Sequence, residues 1–409
     1  MAREAFPVGA SVDSVAFDLD PYPWYARLLA EEPVSWVPAA EMWFVAPAEL
    51  CKQVLRDDEA FAVGFERSTV ADILGEHMMS VDGEAARRYK RAFQPPFLPG
   101  AIRDQVEPRI ALIARGLVES FRERGEVELR SGFAGRLPVL VMLGLLGLPA
   151  GDELLLRRWY DAFEAALANT GFDPQVRRVG KAAAAEFHEY IAAALGEVRG
   201  VRRPGTLLDD LVHADPDGPA GRLTDEEIAL NAGIVMFGGI STVEALVLDA
   251  VWALGSLGAI GSEGGGLVVA TRDPTAAVRA VHETIRWQGP VQTAHRVTTR
   301  PVELGGVHLP AGTTVACLLA AANRDPAVFE QPEVFDPERH NAHAHLGFAA
   351  GQHHCLGSHL AIAEGRIALT ELVAALPGLR LDPARPSEPA GSEFRQPDHL
   401  WVQWDTVRA

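Results

Sequence analysis

The sequence predicts a mainly α-helical protein with a small β region, an α+β chain. Three observations predict it. Apolar residues recur at intervals of three and four through most of the first two thirds of the 409 residues. One apolar stretch beginning at Thr224 meets no proline until Pro274. After residue 290 the pattern changes to short alternating runs broken by glycine and proline.

Helices are expected over Gln105–Arg122, Asp152–Ala168 and Val176–Val198. The Leu137–Ala150 run is apolar but too short to span a bilayer. The helix after Thr224 has the best start signal: Thr224 caps it and Glu227, three residues on, completes a capping box. Continued to Gly255, it would be about 48 Å long at 1.5 Å per residue. Asn231–Val243 carries no charge, and a helix apolar all round is buried through the protein centre. Its middle holds two adjacent glycines, Gly238 and Gly239, each costing about 1 kcal/mol against alanine. Either a neighbouring helix packs closely there or a flat ligand lies against the helix. Val302–Ala316 reads as short strands with turns at Gly305-Gly306 and at Pro310–Gly312. Three X-Pro steps, at Pro326, Pro332 and Pro337, mark an irregular meander, and a last helix is expected over Leu356–Leu376. No long linker interrupts the chain, so one domain is expected over residues 1–409. It should be helix-rich at about 70–290 and 356–376, and β-rich near the N-terminus, over 291–320 and at the C-terminus.

Composition narrows the function. A net charge of −18 disfavours nucleic-acid binding. Three cysteines exclude a disulfide scaffold and fit a reducing compartment. No secretory pattern opens the chain and no long uncharged apolar run suggests a membrane span, so a cytoplasmic protein is expected.

Cys355 stands just before the last helix, where the helix dipole and free amides favour a thiolate. Such a cysteine is a nucleophile, a metal ligand or, alone, a buried apolar residue. Six of the 13 histidines fall between His340 and His359. Their spacing, with no CxxC or HExxH, does not match a zinc site. Glu283 and Arg286, spaced i, i+3, share a helix face. They form either an exposed ion pair of small worth or a buried pair meeting a third charge.

These segments together resemble the cytochrome P450 haem-thiolate monooxygenases of the soluble bacterial type, from about Val15 to the end. Phe348, Gly351, His353, Cys355 and Gly357 match the family's Phe-Gly-x-Gly-x-His-x-Cys-x-Gly signature. Glu283 and Arg286 match its Glu-x-x-Arg pair, and Arg339, in Phe335–Arg339, matches the meander arginine that completes a network. Ala321–Pro326 is also similar, and Gly238-Gly239 with Ser241-Thr242 fits the oxygen-binding kink of the long central helix. The resemblance implies haem b as cofactor and Cys355 as its axial ligand, a thiolate that favours O–O cleavage. It implies that Phe348 shields the sulfur, that Gly351 lets the loop turn under the haem, and that Arg296, His353 and Lys90 face the propionates. Thr242 would guide protons during oxygen activation.

Departures from the family pattern stand at five positions. Ala349 replaces the first glycine of the cysteine loop, and Ile362 a frequent arginine of the last helix. Ala86 stands where a propionate-binding histidine is usual, and Lys90 where arginine is, keeping the charge without the bidentate fork. Ser241 replaces the acid that commonly precedes the threonine. Glu244, about 200° round the helix from Thr242, is badly placed to replace it. Proton delivery is left to Ser241, water or substrate, which predicts loose coupling.

The resemblance places substrate-pocket walls at Ile234, Phe237, Gly238 and Ser241, at Pro290, Val291, Gln292 and Thr293, in the loop Phe61–Ile73, and in the turn Glu393–Gln396. The implied function is insertion of one oxygen atom of O2 into a small organic substrate by hydroxylation or epoxidation. Electrons would come from NAD(P)H through ferredoxin reductase and ferredoxin. The alternatives are a peroxide-dependent or bond-forming haem oxidase, motivated by Ser241, and a non-enzymatic haem-binding protein. The basic run Arg87, Arg88, Lys90 and Arg91 would border the face where an acidic ferredoxin docks.

Overall fold

The computed structural model describes residues 5–64, 69–167, 173–215, 217–218, 220–257 and 272–406. Its helices of nine residues or more are α1 Tyr22–Glu31, α2 Ala48–Arg56, α3 Gly83–Phe93, α4 Glu107–Glu119, α5 Leu137–Leu146, α6 Glu153–Leu167, α7 Pro174–Gly200, α8 Asp225–Ser256, α9 Pro274–Gln288 and α10 Ser358–Ala375. Its strands are β1 Val34–Val37, β2 Met42–Val45, β3 Phe61–Ala62, β4 Glu126–Glu128, β5 Thr293–Thr298, β6 Val302–Leu304, β7 Val307–Leu309, β8 Thr314–Leu318, β9 Arg380–Leu381, β10 Pro389–Ala390, β11 Gln396–Pro397 and β12 Trp401–Gln403.

The central helix α8 starts as its sequence predicts. The Thr224 hydroxyl accepts from the Glu227 amide at 3.1 Å, and the Glu227 carboxylate accepts from the Thr224 amide at 2.7 Å. By length and composition α8 could cross a membrane, yet most of its apolar window is buried inside the protein. That apolar surface is covered by α5, α7, α9 and α10, which pack around it. α5 is apolar on every side and ends at Gly147, which takes φ +85°, a left-handed conformation that favours glycine.

A five-stranded sheet has the order β1-β2-β8-β5-β3. β8 lies parallel to β2 and antiparallel to β5, setting Arg296 opposite Val315. The β6–β7 hairpin turns on Gly305 and Gly306, both with positive φ, as a two-residue hairpin turn requires. The helical core and a smaller apolar cluster around the sheet meet along the segment that carries Cys355: Phe348 packs on the first, and Leu346 and Ala350 belong to the second.

Several expected boundaries move. The helix expected from Gln105 begins as a wide turn over Ile102–Val106 and stops at Glu119. The last helix starts at Ser358, with Gly357 as its cap, two residues later than expected. β5 falls inside the stretch expected to be β-rich, 291–320, and begins at Thr293, one of the expected pocket-wall residues. Part of the expected pocket loop, residues 65–68, lies outside the described residues.

Candidate active site

α9 delivers Glu283 and Arg286 to the interior, both almost fully buried. The Arg286 Nε donates to Glu283 Oε2 at 2.6 Å and its Nη2 to Oε1 at 2.7 Å. Arg339 Nε donates to Glu283 Oε1 at 3.1 Å, and the Asp336 amide to the same oxygen at 2.9 Å. The pair is therefore the buried one that meets a third charge. Its remaining donors go to backbone: Arg286 to the carbonyls of Asn323, Pro332 and Val334, Arg339 to those of Glu330, Gln331 and Val334. Asn323 carries the connection onward, because its Oδ1 accepts from the Leu346 amide at 2.6 Å, at the start of the cysteine loop.

That loop is shaped by backbone geometry. The Cys355 amide donates to the Phe348 carbonyl at 2.9 Å, and the Ala349 amide to the Leu346 carbonyl at 2.7 Å. Gly351 has φ +72°, and a Cβ there would overlap the Leu55 carbonyl oxygen. Ala349 takes φ +56°, a left-handed conformation that costs a non-glycine residue about 1–2 kcal/mol; its methyl is held there in strain rather than simply tightening the loop. Gly351→Ala is expected to cost about 2 kcal/mol or more, adding backbone clash to the left-handed penalty. Ala349→Gly should leave stability unchanged or raise it. Thermal unfolding of the two variants side by side checks this, and equal losses would contradict it.

Lys90, on α3, braces the loop from below, its Nζ donating to the carbonyls of Gln352 at 3.0 Å and His354 at 2.7 Å. Burial raises the Cys355 thiol above its ordinary range, against the pull of the Gly357 amide and of Lys90. The position before a helix predicts the opposite sign; removal from water outweighs the dipole. Among the described residues no group of three or more His, Cys, Asp or Glu is placed to hold a metal ion. His345 lies beside His282, its ring tilted 40° to it and the ring nitrogens 3.1 Å apart, and burial pushes its pKa down to about 3.

The two glycines of α8 divide the two sequence readings between them. A Cβ at Gly239 would stand 2.7 Å from Met142 Sδ of α5, so Gly239 serves close helix packing. A Cβ at Gly238 would meet open space, although the helix is otherwise buried around it. Gly238 therefore borders a void beside the central helix. Thr242 Oγ1 donates to the Gly238 carbonyl at 2.7 Å, at the edge of that void. Ser241 and Ile234 are buried. Phe237 is buried too, its ring edge-on to Phe394 with centroids 6.0 Å apart. Phe394 in turn pairs with Val291 across a β-bridge, so central helix, Val291 and the Glu393–Gln396 turn do converge. Thr293 bonds the Glu393 carboxylate and lies 3.2 Å from His295 Nε2.

Gln292 does not join them. It is fully buried, its Nε2 donates to the Gly289 carbonyl at 2.6 Å, and its Oε1 accepts from Tyr25 at 3.4 Å. Strand alternation turns it away from its neighbours Val291 and Thr293, which corrects its placement on the pocket wall. Glu244 is a fixed structural partner: it pairs with Arg130 and lies 4.0 Å from Arg157.

Residues 277–377, which hold the buried network and the cysteine loop, match the family model Cytochrome P450. The chain is 33% identical over 90% of its length to cytochrome P450 monooxygenase PikC of Streptomyces venezuelae, covering 86% of that protein. It is 34% identical to nocardicin C N-oxygenase of Nocardia uniformis subsp. tsuyamanensis, covering 98% of both chains. This chain belongs to the cytochrome P450 family. Its fold agrees: it superposes on the crystal structure of CalO2 with a TM-score of 0.86 and 30% identity, over 97% of this chain and 99% of that one.

As a cytochrome P450 monooxygenase its cofactor is haem b, and the residues present fit that group. Cys355 offers a thiol at the loop, Gly238 leaves open space against the central helix, and Arg296 is a buried guanidinium whose side-chain hydrogen bond goes to the His295 carbonyl. Among the described residues no carboxylate lies within ion-pair distance of Arg296; burial lowers its pKa while Asp82 opposes that fall. His353 Nε2 lies 3.0 Å from Asp82 Oδ1, so this histidine and Lys90, both expected to face propionates, are already engaged with protein. Ala86, where the family's histidine usually stands, lines a small cleft of about 30 Å³ with Lys90, His353 and His354. Asp82 and Asn323 were not singled out from sequence. Asp82 stands four residues before Ala86, at the cap of α3, and Asn323 lies inside the Ala321–Pro326 segment, so a segment-level signal existed for both.

Proposed function

We propose that this P450 inserts one oxygen atom of O2 into a medium-sized natural product, by hydroxylation or epoxidation, with electrons passed from NAD(P)H through a ferredoxin reductase and a ferredoxin in the cytoplasm. The carrying observation is the open space at Gly238 of the otherwise buried central helix, with the Thr242 hydroxyl bonded to the Gly238 carbonyl and Phe237, the preceding residue, packed on Phe394. An apolar pocket with a few polar groups orients a substrate chiefly by shape. Relatives named for oxidising nocardicin C and cyclomarin C are consistent with such a substrate class.

Haem b held by Cys355 supplies oxygen activation and electron transfer. Arg296 would bind a propionate carboxylate, and Phe348, packed 5.5 Å from the His345 ring and bonded to Cys355 through its carbonyl, would screen the sulfur from water. Thr242 would hold a water at its oxygen while its proton stays on the Gly238 carbonyl. The central helix carries no lysine or arginine, so it offers no cation to fix a substrate carboxylate, which disfavours the peroxide-dependent alternative. Screening a natural-product library by the shift of the haem spectrum, then comparing turnover with NADH, ferredoxin and reductase against turnover with hydrogen peroxide, tests the reading. Turnover with peroxide alone would overturn it.

α3 touches the cysteine loop through Lys90, so its outer face borders the thiolate side where a ferredoxin would dock. The basic run is less free than its sequence suggests. Arg87 and Arg91 both pair with Glu84, and Arg88 pairs with Glu227 of α8 at 2.6 Å. Glu84→Gln releases two guanidiniums and should accelerate ferredoxin-driven reduction severalfold at low salt, an advantage lost at about 1 M salt, where the screening length is about 3 Å. Arg91→Glu should slow it, and dithionite reduction should match wild type in both. Stopped-flow reduction measures each rate; insensitivity to both substitutions would rule out docking on this face.

A further inference from the structure

The function derived above uses neither His345, before the cysteine loop, nor His282 beside it on α9. We infer that His282 is a positioning residue for the axial ligand: acting through the His345 ring, it fixes Gly347 and Phe348, on which Cys355 is hung. The inference rests on the assignment of Cys355 as that ligand.

The proton positions in the pair follow from its partners. The Gly347 amide donates to His345 Nδ1 at 3.1 Å. A backbone amide can only donate, so that nitrogen is bare and the His345 proton stands on Nε2. His345 Nε2 lies 3.1 Å from His282 Nδ1. His345 therefore donates and His282 accepts, which leaves the His282 proton on its own Nε2. Burial pushes both pKa values down, His345 to about 3 and His282 to about 4, so both rings are neutral near neutral pH. Donation runs one way throughout, from Gly347 to His345 to His282.

A second contact ties the same two segments. Ile285 stands one turn after His282 on α9, and a Cβ at Gly347 would overlap Ile285 Cγ2, so glycine lets the loop lie this close. Beyond Gly347 the hold continues to the ligand. The Phe348 ring lies between two imidazoles, its centroid 5.5 Å from that of His345 and 6.4 Å from that of His354. Its carbonyl accepts from the Cys355 amide at 2.9 Å. The Glu283–Arg286–Arg339 network reaches the loop at Leu346, through Asn323. The histidine pair reaches it one residue later, next to Phe348. Without the His282 acceptor, the His345 proton loses its partner, and the half-buried imidazole is free to turn and release the Gly347 amide. Phe348 then screens the sulfur less well. Water bonding to the thiolate draws charge from it and raises the potential of the bound haem.

The test uses the full-length, haem-loaded protein with His282→Leu, which keeps bulk but accepts nothing, His282→Gln, which accepts through Oε1, and the exposed control His340→Gln. Spectroelectrochemical titration gives the haem potential, and the reduced carbon monoxide complex is followed over time for loss of its red-shifted band. A buried donor left without a partner commonly shifts an equilibrium about tenfold. His282→Leu is expected to lose the band about tenfold faster than wild type and to shift the potential to a more positive value. His282→Gln should restore most of both, and His340→Gln should match wild type. Nitrogen nuclear magnetic resonance of the wild-type carbon monoxide complex, which is diamagnetic, should show a coupling across an N–H···N bond between two imidazoles, the proton on Nε2 of one and the acceptor Nδ1 of the other. That coupling should vanish in both His282 variants. A His282→Leu potential equal to wild type, a change in His282→Gln as large as in His282→Leu, or no such coupling in wild type overturns the inference. If His282→Leu takes up no haem, His282→Gln and the wild-type spectrum decide. Absence of the red-shifted band in fresh wild type would instead overturn Cys355 as the ligand, while the coupling would still report the histidine pair.

Discussion

Cys355→Ser is expected to abolish the red-shifted absorption band of the reduced carbon monoxide complex, and with it O2-dependent turnover. A serine hydroxyl does not ionise in this setting, so the strongly electron-donating axial ligand disappears. The fold should survive. The loop is built from the Cys355 amide on the Phe348 carbonyl, the left-handed Gly351, and the Lys90 bonds to Gln352 and His354, none of which uses the sulfur. Unfolding of the haem-free variant should therefore stay within about 1 kcal/mol of the haem-free wild type. The other cysteines offer no substitute: Cys51 and Cys317 are fully buried in the sheet-side core. Difference spectra of the carbon monoxide complex measure the effect, and a retained red-shifted band would assign the ligand elsewhere.

Glu283→Ala should yield little folded protein. The substitution leaves the Arg286 and Arg339 guanidiniums and the Asp336 amide facing a buried gap. Breaking a buried pair by removing one partner costs about 3–5 kcal/mol, a large part of the ~5–15 kcal/mol that holds a typical domain. The damage should spread to the cofactor site, because Arg286 holds the Asn323 carbonyl and Asn323 holds the Leu346 amide where the cysteine loop begins. Glu283→Gln, which keeps shape and an acceptor but loses the charge, should fall between. Soluble yield, haem content and thermal unfolding report the ordering; wild-type values for all three in Glu283→Ala would show that the pair contributes nothing.

The legible part of the fold was periodic or capped. The capping box at Thr224 and Glu227, the uncharged run in α8 and the Gly305-Gly306 turn each act within a few residues, so a linear pattern carries them. β5 was legible only as part of the β-rich stretch 291–320 and not by its bounds, because those bounds are set by pairing with β8 and β3. The start of α10 shifted by two residues, since the Cys355 amide is bonded back to the Phe348 carbonyl and Gly357 caps the helix.

The candidate site divides along the same line. By itself the sequence determined which residues belong to the signature segments, from Glu283, Arg286 and Arg339 to Phe348, Gly351 and Cys355, because each motif is defined by short spacing. It also determined that Ser241 stands where an acid is usual. Only the tertiary structure decided what surrounds them. It separated Gly239, pressed on Met142, from Gly238, open to a void. It turned Gln292 toward Tyr25, raised the Cys355 thiol by burial, and set Tyr160 of α6 against Phe237 of α8. Burial, packing distance and hydrogen-bond partners between α5, α6 and α8 depend on how helices far apart in the chain come together, and no local pattern encodes that.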